Sequence, residues 1–446
     1  MLQSETIRKY DAYKDSGIEW IGDIPQNWEL LRLQFCLDEI KQKNNPIQSE
    51  QVLSLVKDRG VMLYEEKGNV GNVAKEDISE YKLAYPNTLI LNSMNILIGS
   101  VGISNYFGCV SPVYYVFKET DKSDLRFINY IFTTREFQKE LRRYANGIME
   151  IRLRVSAQDI FKRKIAFPNK QEQIKIADYL DKKCGEIDRV IETEKSVIEK
   201  LKEYKQSIIT EAVTKGLDKS IPLKDSGIEW IGKIPQHWEI RKLHSLFNFI
   251  GGFAFKSDDY VDETENQVIR IGNIRNNNLI LDDKKIFITN TIADDALSVM
   301  IKCNDILFSM TGTKGKRDYF YTLVVKKEYL QNKNLYLNQR VGCFRKKIDL
   351  DERYFNYLLK ETRILDSIFI YETGTANQGN LGIETIRNTK LHFPTVIEQQ
   401  QIADYLDKKC SEIDKAIADK EQVIEKFTEY KKSLIYECVT GKRKVV

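Results

Sequence analysis

The residues whose types and spacing could do chemistry are, first, two clusters of lysine and arginine. Residues 139–164 carry eight Lys/Arg against three acids, a net +5, and residues 314–347 carry ten against two, a net +8. The whole 446-residue chain is only +4, so the remainder is −9. Duplex nucleic acid presents a phosphate charge about every 1.7 Å of axis, and cations gathered this way suit it. Arg142, Arg143, Arg152 and Arg154 in one cluster, and Lys314, Lys316 and Arg317 in the other, are the candidate contacts. Asn338-Gln339-Arg340 and Asn377-Gln378-Gly379-Asn380 add side chains able to read base edges in the major groove. For any one of these, solvated surface charge or a polar loop is the competing reading. One cluster in each half of the chain is what favours nucleic acid.

Catalytic chemistry is harder to find. Only three histidines occur (His237, His244, His392), with no flanking nucleophile signature. Gly312-Thr313-Lys314-Gly315-Lys316-Arg317 has the wrong spacing for a phosphate loop and lacks its hydroxyl. No proline stands in the Asn/Asp-Pro-Pro-aromatic loop of amino-methyltransferases or before an acid as in a nuclease motif. The pairs Asp258-Asp259, Asp282-Asp283 and Asp294-Asp295 read as solvated turns rather than a Mg²⁺ site. Seven scattered cysteines without a C-x-x-C pair argue against zinc or a disulfide framework and for a reducing compartment. No apolar run approaches the ~18 residues of a membrane span, and Met1 to Tyr13 is polar. The expectation is a non-catalytic cytoplasmic protein with no metal and no membrane association.

The elements that must position the basic clusters come from a duplication. Residues 14–29 and 224–239 are identical at fourteen of sixteen positions, and all four tryptophans (Trp20, Trp28, Trp230, Trp238) lie in this motif. Residues 172–214 and 398–440 match at 27 of 43 positions. Between them, roughly 30–165 and 240–390 are unlike blocks that share little beyond their ends.

Each long repeat predicts a helix. Asn169-x-x-Glu172 and Thr395-x-x-Glu398, each just after a proline, are capping boxes. Apolar residues then recur at spacings of four and three: Leu180, Cys184, Ile187, Ile191, Ile198, Leu201, Ile208 and Ala212, and their counterparts Leu406 to Cys438. The seam breaks at Glu194 and Lys205, and at Lys420 and Lys431. Two separate amphipathic helices are the alternative to a paired coil. Because the first helix runs from one block to the next, the second most simply returns along it, antiparallel, with motif 14–29 near its C-terminal end. One register sets Glu194 against Lys431. About 43 residues at 1.5 Å each give a ~65 Å rod.

The blocks read as mixed α/β, with strands near 89–91, 113–117, 268–271 and 321–325 and helices over 125–144 and 351–370. The fold class is therefore α+β: two α/β domains separated by a long antiparallel two-helix coiled coil, with a pseudo-two-fold internal repeat. The expected divisions are 1–168, 169–216, 217–394 and 395–446.

Lys14-Asp15-Ser16-Gly17-Ile18-Glu19-Trp20-Ile21-Gly22 through Trp28, doubled at 224–238, resembles the specificity subunit of type I restriction-modification systems. So does Glu398-Gln399 through Ile402-Ala403-Asp404-Tyr405-Leu406. Gly251-Gly252-Phe253, Asp305 to Gly312 and Leu337-Asn338-Gln339-Arg340-Val341 look like that family's recognition domains, and Val110 to Tyr114 like another branch. The resemblance implies a subunit that reads double-stranded DNA as two half-sites, unlike and non-palindromic because the blocks differ. It implies docking of two methyltransferase subunits and of motor-nuclease subunits. S-adenosylmethionine, ATP and Mg would then be bound by those partners and not by this chain. Trp20, Trp28, Trp230, Trp238, Tyr179 and Tyr405 are expected to anchor the heads or touch partners. A coiled-coil scaffold with two protein-binding heads is the alternative.

Overall fold

A proline and a cap start each long helix. In the computed structural model, which describes residues 8–57, 59–68, 73–147, 153–375 and 378–445, the helices span Lys170–Lys215 and Val396–Val439. Asn169 Oδ1 accepts the Glu172 N–H at 3.0 Å. Thr395 and Glu398 close a reciprocal box: Thr395 Oγ1 accepts the Glu398 N–H at 3.3 Å, and Glu398 Oε2 accepts the Thr395 N–H at 3.1 Å. The chain divides into two units, Met1–Ser196 with Lys420–Val446, and Val197–Asp419, so each unit owns part of both helices.

In the first unit an antiparallel sheet orders Leu37–Glu39, Tyr114–Glu119, Thr88–Asn92 and Val101–Ser104. Leu89, Leu91 and Phe117 on it pack against Phe127, Phe132 and Phe137 of helices Leu125–Thr133 and Arg135–Arg142. Strand Lys164–Phe167 pairs antiparallel with Glu29–Arg32, immediately after Trp28, and delivers the chain to the helix start. The long-helix segments run antiparallel: Leu180, Cys184 and Ile187 share a core with Leu434, Ile435 and Cys438. Asp188 pairs with Lys431 at 2.6 Å and Glu194 with Lys420 at 2.9 Å. Gly441, just past the second helix, sits at φ +74° against Pro25 and Trp28, where any side chain would overlap Pro25. The motif thus lies at the C-terminal end of the second helix, as connectivity predicts.

The second unit has a larger head. One antiparallel sheet orders Phe247–Gly251, Val341–Lys346, Ile306–Ser309 and Thr322–Val324. A mixed sheet orders Tyr260–Val261, Phe287–Ile288, Asn266–Ile269 and Asn334–Leu337, the last two parallel. Helices Glu352–Leu358 and Thr362–Phe369 follow, and Lys390–Phe393 pairs with Glu239–Lys242 as its counterpart does in the first unit. Ile208 and Ala212 share a core with Leu406, Cys410 and Ile413, and Lys205 meets Asp414 at 2.6 Å.

The α+β class and the antiparallel long helices agree with the sequence reading, but three details differ. Glu194 faces Lys420, not Lys431, because this register gives every charge that breaks the seam an opposite partner. The expected helices over 125–144 and 351–370 are each split, by Thr134 and Glu361, whose side chains accept N–H groups of the next turn. The blocks also share more than their ends: Asp124-x-Arg126-x-x-Asn129-Tyr130 recurs as Asp351-x-Arg353-x-x-Asn356-Tyr357.

Candidate nucleic-acid interface and its anchors

Each head is fastened to a helix start by the same three devices. Trp28 and Trp238 are fully buried, and their indole N–H groups donate to Glu172 and Glu398, both at 3.2 Å. Gln173 and Gln399, also fully buried, bond backbone on both sides. Gln173 Nε2 donates to Pro168 O at 2.8 Å and Lys122 O at 3.0 Å while its Oε1 accepts the Asp124 N–H at 2.9 Å. Gln399 repeats this with Pro394 O at 2.9 Å and the Asp351 N–H at 3.0 Å. Third, Arg126 reaches Asp178 (2.6 Å), Asp181 (3.0 Å) and Asp124 (3.1 Å), and Arg353 reaches Asp404 (2.8 Å), Asp407 (2.9 Å) and Asp351 (2.7 Å). Tyr130 and Tyr357 donate to Asp181 and Asp407 at 2.7 and 2.8 Å. Hydrogen bonds to Asp351, Asp404 and Asp407 hold the Arg353 guanidinium further above its already high range. These Gln and Arg–Asp contacts escaped the sequence reading, although the twin Asp-x-Arg-x-x-Asn-Tyr segments carried the signal.

The other aromatic candidates sit differently. Trp20 is half-buried, its ring 5.3 Å from Phe137, and its carbonyl accepts the Tyr436 hydroxyl at 2.9 Å. Trp230 lies at the edge of the second unit's core. Tyr179 borders the first core and bonds Arg443, whereas Tyr405 is exposed.

In the second unit the structure gathers both basic and base-reading candidates at one sheet end. The Met310 N–H donates to Arg340 O, where strands Ile306–Ser309 and Val341–Lys346 meet, and the loop carrying Lys314, Lys316 and Arg317 leaves from there. That loop packs on the small sheet of Thr311–Gly312, Gln378–Asn380 and Thr373–Thr375. Asn338 is half-buried over Gly252, whose missing side chain leaves room for the Asn338 carbonyl, while Gln339 and Arg340 are exposed. Lys314 Nζ donates to Gly374 O at 2.9 Å, and Arg317 is tied to Asp366 and lies over the Phe369 ring. Lys316 and Arg340 show no ion pair among the described contacts. Arg270, absent from the candidates, is exposed at the same rim, where the parallel strands end.

The first unit is less concentrated. Arg142 and Arg143 close the helix ending at Arg142, and Arg143 pairs with Glu19 (3.0 Å) and Glu140 (3.2 Å). Arg154 is exposed and bridges Asn146 through its backbone. Arg152 and Asn377 lie outside the described residues. Among the described residues no helix is long and apolar enough to cross a membrane, and no group of three His, Cys, Asp or Glu is placed to hold a metal ion.

Residues 235–426 match the family model described as Type I restriction modification DNA specificity domain. The type I restriction enzyme MjaVIII specificity subunit of Methanocaldococcus jannaschii is 24% identical over 432 residues, covering 95% of this chain and 94% of the relative. A putative type I restriction enzyme MjaX specificity subunit of the same organism is 24% identical over 457 residues, covering 95% and 96%. Among solved structures, a chain described with the complex assembly and conformational transition of the type I R-M system aligns with a TM-score of 0.70 at 12% identity, over 93% of this chain and 98% of that one. The HsdS subunit from Thermoanaerobacter tengcongensis aligns at 0.51 and 14%, over 94% and 98%. The resemblance carried by the doubled motifs therefore extends along nearly the whole chain.

Proposed function

We infer that this chain, which carries a type I restriction-modification DNA specificity domain and resembles specificity subunits over its length, is the DNA-reading subunit of such a system. It contributes recognition and leaves catalysis to its partners. The observation that carries this reading is the contrast between anchors and rims. The Trp–Glu, Gln and Arg–Asp contacts recur in both units, while the loops they hold out differ in length, sequence and charge. A frame kept while its heads diverge is what a reader of two unlike half-sites requires. Lys316 supplies phosphate contact, and Asn338, Gln339 and Arg340 supply base contact, in one half. Arg142 and Arg154 line the rim that serves the other half.

The target is accordingly bipartite and asymmetric. Duplex DNA and partner subunits follow from the family. Two methyltransferase subunits bring S-adenosylmethionine, motor-nuclease subunits bring ATP and Mg²⁺, and the assembly works in the cytoplasm. The test is to co-purify the chain with its modification subunits and map methylated sites genome-wide. A split, non-palindromic motif is expected, and Arg340→Ala should relax one half only, at a cost of about 1–3 kcal/mol of discrimination. A continuous palindrome, or no methylation and no salt-sensitive DNA binding, would replace this reading with that of a protein scaffold.

A further inference from the structure

We propose that Ile370 and Tyr371 form a wedge that enters the base stack of the duplex held by the second unit, a step that rests on the DNA-reading function above. The helix Thr362–Phe369 turns its last apolar residues two ways. Ile368 and Phe369 point into the core, at 0% and 8% exposure, while the next two residues stand clear of it, Ile370 at 78% and Tyr371 at 62%. Their backbone is nevertheless fixed. The N–H groups of Ile370, Tyr371 and Glu372 donate to Asp366 O, Ile368 O and Phe369 O at 3.1, 3.2 and 3.0 Å. Glu372 then clamps the segment from below, accepting the Tyr319 hydroxyl at 2.7 Å and the Gly315 N–H at 2.9 Å. Two bare apolar side chains on a braced turn are preorganised to meet an apolar surface.

The surroundings say which surface. The loop of Lys314, Lys316 and Arg317 lies directly against this turn, through Lys314 Nζ to Gly374 O and through Arg317 over Phe369. The acids nearby are already engaged: Asp366 by Arg317, Asp318 by the Thr313 N–H at 2.7 Å, and Glu372 as above. An apolar tip flanked on one side by the loop of Lys314, Lys316 and Arg317 matches bases beside a phosphate backbone. Isoleucine is among the side chains that part base steps in this way, and tyrosine can stack on the exposed face.

The first unit supplies the contrast. There the two positions are Arg143 and Tyr144, with Arg143 bound to Glu19 at 3.0 Å and the Tyr144 ring lying 3.3 Å beneath the Arg163 guanidinium. Thr389 stands where Arg163 would be, too short to cover Tyr371. Only one head carries the wedge, so only one half-site should be deformed.

The experiment uses the complex of full-length chain and modification subunits on duplexes carrying the mapped target, with 2-aminopurine walked through each half. Wild type should raise the fluorescence at one step of one half by roughly twofold or more, as an unstacked base does. Ile370→Ser with Tyr371→Ser should return it to that of free duplex and weaken target binding about tenfold, leaving non-target binding within about twofold. An unchanged signal in the double variant, or no signal at any step while wild type binds its target, overturns the wedge alone. Loss of subunit assembly in the variant overturns it in favour of a protein partner on this tip. If wild type fails to bind the mapped DNA at all, the DNA-reading function falls and the wedge with it.

Discussion

Glu172 in the first unit and Glu398 in the second each take an indole N–H at 3.2 Å, yet the groups around them differ. Glu172 also accepts the Tyr10 hydroxyl at 2.7 Å, and burial together with that bond pushes the Tyr10 phenol up. Glu398 instead meets His237 at 2.8 Å and its own cap Thr395 at 2.8 Å. Burial raises its carboxyl, but bonds from Thr395, His237 and Trp238 outweigh that and hold it below the ordinary range. The Trp28 ring meets Phe127 edge-on at 6.3 Å, whereas Trp238 stacks on His392, at whose aligned position the first unit has Ala166. The duplicated frame is therefore fixed at the atoms that join head to helix and free to drift one layer away. What had to be kept is the attachment, not the packing behind it.

The strongest way to break that comparison is to remove the indoles. Both are completely buried, and a large aromatic truncated to alanine in a core costs about 3–5 kcal/mol. Trp28→Ala and Trp238→Ala should each shift urea unfolding, followed by circular dichroism, by that amount. Recovery of modification subunits should fall while the methylated sequence stays the same. A cost under about 1 kcal/mol at either site, or an altered sequence preference with assembly intact, would show that the tryptophans do not anchor.

The second test separates the units by pH. His392 stacks on Trp238 with ring centroids 5.5 Å apart and planes 16° apart, and burial pushes its pKa down to about 4 from 6.5. The folded state refuses a proton that the unfolded state accepts. Its stabilisation is therefore complete above pH 6.5 and is lost as pH falls from 6.5 towards 4, by roughly 3 kcal/mol in all. His392→Phe, which keeps a ring on Trp238, should flatten the wild-type slope across that window. The first unit, with Ala166 at this place, lacks the effect. Parallel pH profiles for wild type and variant would refute the assignment.

Much of this architecture is legible in the chain because its signals are local. The heptad spacing, the prolines and the caps define both long helices, and direct repetition exposes the duplication. Other features depend on partners distant in sequence. Arg143 and Arg317 count as free cations until the fold brings up Glu19 and Asp366. The continuous apolar pattern over 125–144 hides the turn at Thr134, whose hydroxyl accepts the Phe137 N–H. The Asp-x-Arg-x-x-Asn-Tyr pair is diluted by unlike neighbours, and its meaning appears only once Asp178 and Asp404 stand opposite. Within the rims, sequence offered residue types but not their convergence. That Arg340 and Lys316 share an edge follows from the strand register of Ile306–Ser309 against Val341–Lys346.

The smallest expected effect probes the coil itself. When two copies of one helix pair antiparallel, some position must face its own counterpart, and identical charges there would repel. Residues 194 and 420 are such counterparts, and here they are Glu and Lys, 2.9 Å apart, with side chains 17% and 38% exposed. Elsewhere the copies need no difference: Asp188 with Lys431 and Asp414 with Lys205 are the same pair taken twice. One substitution between the copies thus converts a like-charge contact into an ion pair. Because Lys420 is partly exposed, the gain is modest, about 0.5–1 kcal/mol. Lys420→Glu should lose that and add repulsion of about the same size, whereas Glu194→Lys combined with Lys420→Glu should recover most of it at low salt. A double-mutant cycle with no coupling energy, or equal stability of the single and double variants, would mean that the register is set by the apolar seam alone.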